Sequence, residues 1–459
     1  MSAFPATLFS GERFAVVGLG RNGLPVARAL AAMGATVTAW DDSEPARAAA
    51  AAQGVALADP TLGALIADAM VLSPGIPHRL PRPHPAAARA LAAGIPILSD
   101  AELLFQAVRR TQSRARFAGV TGTNGKSTTT ALLAHVLAGA GVPVAAGGNL
   151  GTPALALPRL PDHGVYVLEM SSYMLERIVS LRFAVAVMLN LSADHIDRHG
   201  DMAGYAAAKR AIFARQGVGD TSVVGIDDDL SRAMAADLAR LPARCVRVSG
   251  HQPADVWAAG RVLRDRAGPL LDLDTAPALP GAHNAQNAAA AAAMAMALGV
   301  PRGEIARHIP TYPGLPHRQE LVAEIGGIRF INDSKATNAD AAARALGCYD
   351  RLIWIAGGLA KEGGIAPLAD HFPRIARALL IGRDAADLAA TLARHNVAHE
   401  VVGTLEAAVP AALRAARESG AKVVLLSPAC ASFDQFSGFD ARGARFAELA
   451  RGLAAGGAA

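Results

Sequence analysis

Residues 119–130 read GVTGTNGKSTTT and continue the apolar run RFAGV. Glycines at 122 and 125 let the backbone curl so that successive N–H groups face one point. A helix starting at that point adds partial positive charge, so the combination suits an anion. A lysine next in line reaches terminal phosphates, and the hydroxyl after it can sit on Mg2+. Gly122, Thr123, Asn124, Gly125, Lys126, Ser127 and Thr128 are therefore expected to hold the phosphates of a nucleotide. The string departs from G-x-x-x-x-G-K-[ST], because Val120 stands where that pattern has glycine. A plain glycine turn ahead of a helix is the alternative, and lysine and serine in register speak against it.

Other groups able to do chemistry stand at the ends of apolar runs. Glu169 closes one such run in YVLEMSSYMLE (166–176), where a carboxylate is costly to bury without a partner, although Ser171–Ser172 could simply begin a helix there. LNLSADHIDRHG (189–200) crowds Asn190, Asp194, His195 and Asp197 at another, the position where ligands collect in open α/β sheets. Lys209 in YAAAKRAIF fits an exposed helix lysine. Asn284 and Asn287 in GAHNAQNAAAA share one helix face or cap it. GLGRNG (18–23) follows FAVV, and Asp41–Asp42 come about 20 residues later, as in a dinucleotide fingerprint. Taken alone, that string favours an NAD-dependent oxidoreductase, which would leave Lys126 without a purpose. Towards the C-terminus INDSKATNADA (331–341), GGLAKEGG (357–364) and LSPACASFDQFSGFDARG (426–443) bring Lys335, Thr337, Lys361, Ser432 and Phe439, the last two expected exposed in a loop. Two lysines and two hydroxyls suit a small dicarboxylate, lysine acting as a compact point charge.

To position these groups, the chain must place them on strand ends and the turns that follow. FAVVGL, ATVTAW, VYVLEM, AVAVMLN, RLIWIAGG, RALLIG and KVVLLSP are candidate strands, and most are apolar without alternation, which suits strands covered on both faces. They alternate with alanine-rich helical stretches such as NAAAAAAMAMALG, and that alternation predicts α/β architecture with parallel, doubly wound sheets. Three clusters of the pattern predict three domains: 1–109, Rossmann-like; 110–314, central and P-loop ATPase-like; and 315–459, again Rossmann-like. The second boundary lies in the proline-rich HIPTYPGLPHRQE.

At 459 residues the chain is too long for one ordinary core. Its net charge of +5 is spread thinly, with no basic block interleaved with aromatics, so nucleic acid is not expected as a partner. Cys245, Cys348 and Cys430 form no CxxC pair, which argues against a disulfide framework or a zinc site. No secretory leader or membrane span is apparent, and the chain is expected in the cytoplasm.

GVTGTNGKST resembles the ATP-binding signature of the Mur ligase family, and the resemblance extends from about residue 12 to 445. It implies an ATP-dependent amide ligase that activates a carboxylate as an acyl phosphate, using ATP as co-substrate and two Mg2+ ions. It further implies that Lys126, His195 and Lys209 are catalytic and that Ser127, Glu169, His195 and a carbamylated Lys209 hold the metal. Asn284, Asn287, Arg318 and Asp333 would serve the nucleotide, with His317 beside them. Gly20, Arg21, Asn22, Gly23, Ser73, Pro74, Gly75 and Asn149 would hold a UDP-sugar. The third-domain strings resemble those of the branch that adds D-glutamate to UDP-N-acetylmuramoyl-L-alanine, which would put D-glutamate at Lys335, Thr337, Lys361, Ser432 and Phe439 of a monomeric enzyme.

Overall fold

The computed structural model describes residues 2–361 and 363–456. Glu362, inside GGLAKEGG, and the extreme ends of the two outer predicted domains lie outside the described residues. The chain divides into two compact units, Met1–Ala276 with Ala282–Tyr312, and Pro277–Gly281 with Pro313–Ala459.

The first unit holds two sheets. One is a four-stranded parallel sheet in the spatial order Thr36–Trp40, Arg13–Val17, Ala69–Leu72, Ile97–Leu98. Its first strand runs into the turn 18–22 and then the helix Gly23–Ala32, so the glycine turn opens at the carboxyl end of the sheet. The other sheet has nine strands. Arg116–Thr121 lies between Val185–Met188 and Val165–Glu169, all parallel, which gathers the ends at 121, 169 and 188 on one edge. Apart from Arg116 at the start of the first, these strands are buried throughout, as continuous apolar runs require.

The alternation in sequence predicts parallel strands only, and the structure adds antiparallel ones. Val256–Ala259, Val262–Asp265 and Gly268–Asp272 form an antiparallel meander at the far edge of the nine-stranded sheet. In the second unit, Glu320–Ile325 and Ile328–Asn332 form a hairpin turning at Gly326–Gly327, followed in spatial order by Val423–Leu426, Leu352–Gly357, Ile375–Ile381 and His399–Gly403, all parallel.

Helix Ala282–Ala297 is buried along most of its length, and its alanines let it approach both the sheet and helix Lys126–Gly139 closely. Asp201 caps helix Met202–Arg210, accepting the N–H of Gly204 at 2.7 Å, and so fixes where the helix that carries Lys209 begins. Among the described residues no helix is long and apolar enough to cross a membrane.

Candidate active site

The turn after Arg116–Thr121 is held from two sides. Asn190 accepts the Asn124 N–H on its side-chain oxygen at 2.9 Å, and its backbone carbonyl accepts the Thr123 N–H at 2.9 Å. From helix Ala282–Ala297, the Asn287 Oδ1 accepts the Thr129 hydroxyl at 3.3 Å and Asn287 Nδ2 donates to Asn284 Oδ1 at 3.0 Å. The structure thus brings the loop 122–128 together with Asn284 and Asn287. Lys126 Nζ donates to the carbonyls of Gly122 and Thr123 at 2.9 and 2.8 Å, so the ammonium lies over the loop. Ser127 and Thr128 form the first turn of helix Lys126–Gly139.

Gly125 has φ +82°, and a Cβ there would stand 2.1 Å from Asn287 Oδ1. Gly125→Ala therefore meets both backbone strain and a collision. We expect nucleotide affinity to fall by about ten-fold or more, measured by titration with ATP. An unchanged dissociation constant would show that the loop relaxes freely.

Glu169 ends its strand only 2% exposed. Asn149 Nδ2 donates to its Oε1 at 2.7 Å, but Oε2 is buried without a hydrogen-bond partner. A carboxylate oxygen left so is costly and fits a hard cation such as Mg2+. His195 sits at φ +52°, half exposed, with Nε2 3.4 Å from Asp194 and its ring 5.2 Å from that of Tyr173. No three His, Cys, Asp or Glu side chains converge among the described residues, so a cation bound here would need ligands besides these four residue types.

Lys209 overturns the reading of an exposed helix lysine, since it is 2% exposed. Its Nζ donates to Gly122 O at 2.8 Å and lies 4.7 Å from the Tyr205 ring. Burial, followed by the charge of Lys126, pulls its pKa down to about 7, against Asp194 and Glu169, which raise it. Near neutral pH much of this amine is unprotonated and nucleophilic. Lys126, Lys209, His195 and Asn149 line one cavity of about 250 Å3, whose far wall is Pro74–Gly75.

That wall also belongs to a second cavity, of about 600 Å3, over the glycine turn. Gly20, Arg21, Asn22, Ser73, Pro74, Gly75 and Asn149 all line it. Gly23 does not. It opens the helix, and a Cβ on it would stand 1.7 Å from Gly18 O, so this glycine serves close packing. Asp41 is committed to the turn itself, accepting the N–H groups of Leu19 at 2.6 Å and Ser43 at 2.8 Å. Asp42 pairs with His84 at 3.0 Å on the cavity lining.

In the second unit, Asp333 follows the strand Ile328–Asn332. It accepts the Ser427 hydroxyl at 2.8 Å and the Gln319 N–H at 3.3 Å, while burial raises its pKa to about 7. The Lys335 ammonium lies 4.4 Å over the Phe439 ring, its backbone N–H donates to His317 O, and the His317 ring stands 6.2 Å from that of Phe439. Arg318 follows His317 and its charge acts on Asp333. Thr337 is half buried ahead of helix Ala339–Leu346, and Lys361 is exposed on the loop after Leu352–Gly357. The expectation that Ser432 and Phe439 are exposed in a loop is corrected. Ser432 is buried, and Phe439 is half buried at the start of helix Phe439–Gly456.

One residue absent from the sequence reading organises these loops. Arg442 is buried and donates to Ser334 Oγ and O, each at 3.0 Å, to Cys430 O at 3.1 Å and to Gly357 O at 3.3 Å. Burial lowers it to about 10, which leaves it charged at neutral pH. Nothing in FDARG signals burial, because an arginine in a polar, glycine-containing loop reads as solvated.

The Mur ligase middle domain matches residues 120–295, and the Mur ligase, glutamate ligase domain matches 317–430. Residues 1–91 match the NAD binding domain of D-isomer specific 2-hydroxyacid dehydrogenases, a likeness confined to the first sheet and its flanking helices. A UDP-N-acetylmuramoylalanine–D-glutamate ligase of Paramagnetospirillum magneticum is 54% identical, over 98% of this chain and 99% of its own. Its counterpart in Rhodospirillum rubrum is 49% identical, over 98% and 96%. Among solved structures, the UDP-N-acetylmuramate-alanine ligase MurC of Thermotoga maritima superposes with a TM-score of 0.61 at 17% identity, covering 96% of this chain and all of the other, a likeness of fold.

Proposed function

The chain belongs to the Mur ligase family, and from that premise we propose how its cavities carry out ATP-dependent ligation of D-glutamate to UDP-N-acetylmuramoyl-L-alanine in peptidoglycan precursor synthesis. The observation that carries the reading is the wall shared by the two cavities. Pro74, Gly75 and Asn149 line both the space over the glycine turn and the space beside Lys126 and Lys209. An extended substrate can therefore lay its UDP over Gly20–Asn22, at a helix N-terminus, and present its alanyl carboxylate beside the loop 122–128.

ATP held by Gly122–Thr128, Asn284 and Asn287 would offer its γ-phosphate to that carboxylate. The carboxylate oxygen bonds to phosphorus, the bond to the β-phosphate oxygen breaks and ADP leaves. Lys126 and the loop N–H groups spread the charge, which is most of what phosphoryl transfer asks of a protein. D-Glutamate, held at Lys335, Thr337, Lys361, Ser432 and Phe439, then attacks the acyl carbon through its amine. The amine loses a proton and phosphate departs, leaving the amide. Arg318 and Asp333 are assigned to the nucleotide.

Mg2+ would be held by Ser127, Glu169, His195 and a carbamylated Lys209, and would supply charge neutralisation at the phosphates. Glu169→Gln exchanges the unpartnered oxygen for a neutral group. About 10–100-fold more Mg2+ is expected for half-maximal activity, and an unshifted Mg2+ titration would remove Glu169 from the site. We also assign 1–109, 110–314 and 315–459 to the UDP-sugar, ATP and amino acid respectively, in a cytoplasmic monomer.

The deciding experiment follows phosphate release and amide product from ATP, UDP-N-acetylmuramoyl-L-alanine and either isomer of glutamate. Product that requires all three substrates and Mg2+, with D-glutamate preferred, is expected. ATP turnover without amide, or equal use of L-glutamate, would overturn the reading.

A further inference from the structure

Pro74 and Gly75, which line both cavities, lie in the segment Leu72–Ile76, and two arginines from the nine-stranded-sheet part of the same unit hold its carbonyls. Arg177 is 2% exposed. It donates from Nη1 to Leu72 O at 3.0 Å and Ser73 O at 3.4 Å, from Nη2 to Ile76 O at 2.6 Å, and from Nε to His78 Nδ1 at 3.4 Å. Arg198, stacked 4.3 Å over the Tyr173 ring, donates to Gly75 O at 2.9 Å. Four of the five carbonyls in 72–76 are thus taken by guanidinium groups, and only that of Pro74 is left out. The turn is tied on its other side as well. Ser73 N–H donates to Val17 O at 2.9 Å, and the Ser73 hydroxyl donates to Gly18 O at 2.8 Å.

This is an unusual use of a buried charge. Carboxylates normally compensate a buried arginine, yet here the hydrogen-bonding partners of Arg177 are three carbonyls and an imidazole nitrogen. The planar fork of Arg177 is what reaches three carbonyls of a curved turn at once, and a lysine has no such fork. The arrangement holds the main chain of 72–76 in one conformation relative to Tyr173, His195 and the cavity beside them.

Resting on the ligase reading above, we propose that Arg177 and Arg198 are positioning residues for the UDP-sugar substrate: they fix the turn Leu72–Ile76 so that a substrate seated over the glycine turn passes Pro74–Gly75 at the height that delivers its carboxylate to the Lys126 cavity. Neither arginine is asked to touch the reacting atoms. Their effect should therefore fall on one substrate and not on the other two.

Arg198 gives the cleaner test, since it is half buried and makes one of the four carbonyl bonds. In Arg198→Met the dissociation constant for UDP-N-acetylmuramoyl-L-alanine, read by calorimetry without ATP, and the KM for that substrate should both rise by about ten-fold. KM values for ATP and D-glutamate should stay within about two-fold. Arg198→Lys should recover most of the loss, because one donor suffices for Gly75 O. Arg177→Lys keeps the charge but loses the fork, and should weaken the UDP-sugar more than Arg198→Met does.

An unchanged dissociation constant in a folded Arg198→Met protein would overturn the proposal. So would an equal rise in all three KM values, or a lysine variant no better than methionine. If Arg177→Lys fails to fold, the Arg198 pair decides alone. Amide formation by the wild-type protein is measured separately and judges the ligase reading. A wild-type protein that binds the UDP-sugar but makes no amide would sink that reading, while the comparison of dissociation constants would still judge the arginines.

Discussion

Lys126→Met is expected to lower kcat by about 10^3-fold, roughly 4 kcal/mol of transition-state stabilisation, with binding of the UDP-sugar unchanged. The Lys126 ammonium lies over the loop, bonded to Gly122 O and Thr123 O, within reach of a phosphate seated on the same N–H groups. Methionine fills similar volume without charge, so the loop should keep its support from Asn190 and Asn287. What is lost is the charge, together with the two bonds to the Gly122 and Thr123 carbonyls. Single-turnover measurement with saturating ATP separates the chemical step from binding. A variant that retains kcat and suffers only in KM for ATP would make Lys126 a binding group, and its part in the transfer step would have to be given up.

The second large effect concerns Lys209. Protein freed of CO2 is expected to lose activity by about ten-fold or more and to regain it on addition of bicarbonate, whereas Lys209→Ala should be inactive under both conditions. The geometry favours an amine that reacts. It is buried beside Lys126, and it donates to a backbone carbonyl, Gly122 O, not to a carboxylate. The pH dependence has a definite sign. Below a pKa of about 7 the group is an ammonium and cannot attack CO2, and above it the amine is free. With the concentration of dissolved CO2 itself held constant across the series, reactivation should therefore speed up to about pH 7 and level off beyond. An ordinary lysine would instead gain roughly ten-fold per pH unit well into the alkaline range. Observing the latter, or finding activity indifferent to CO2, would remove the modification from the scheme.

Much of this was legible from residues. The apolar runs without alternation mark the buried parallel strands, and the glycine turns sit where such strands end. Glu169, Asn190 and His195 follow from the same rule, since each stands at or just beyond a strand's carboxyl end. The antiparallel meander over 256–272 was not foreseen. Its strands are four or five residues long and mix apolar with charged positions, so nothing separates them from loop. The hairpin at 320–332 carried a signal in its Gly326–Gly327 turn.

Inward-facing charge was the other gap. Arg177, Lys209 and Arg442 are all nearly inaccessible, and each is compensated by backbone oxygens far away in sequence. Periodicity reports which face of an element is apolar. It says nothing of a long polar side chain whose partners are carbonyls contributed by other elements, because those carbonyls belong to every residue alike. Ser432 was misjudged for a related reason, its small hydroxyl being as much at home in a packed loop as in water.

The segment Pro277–Gly281 packs with the second unit, although residues on both sides of it belong to the first. The polypeptide therefore passes between units three times, at 276–277, 281–282 and 312–313, so no single cut in the gene separates one whole unit from the other. A gene fragment beginning at residue 313 would encode a second unit lacking five of its own residues. A fragment ending at 312 would carry those five with nothing to pack against, immediately before the helix that bears Asn284 and Asn287. Shuffling among relatives should thus succeed only when 277–281 and everything after 312 travel together, so that two distant stretches of one gene are inherited as a single part.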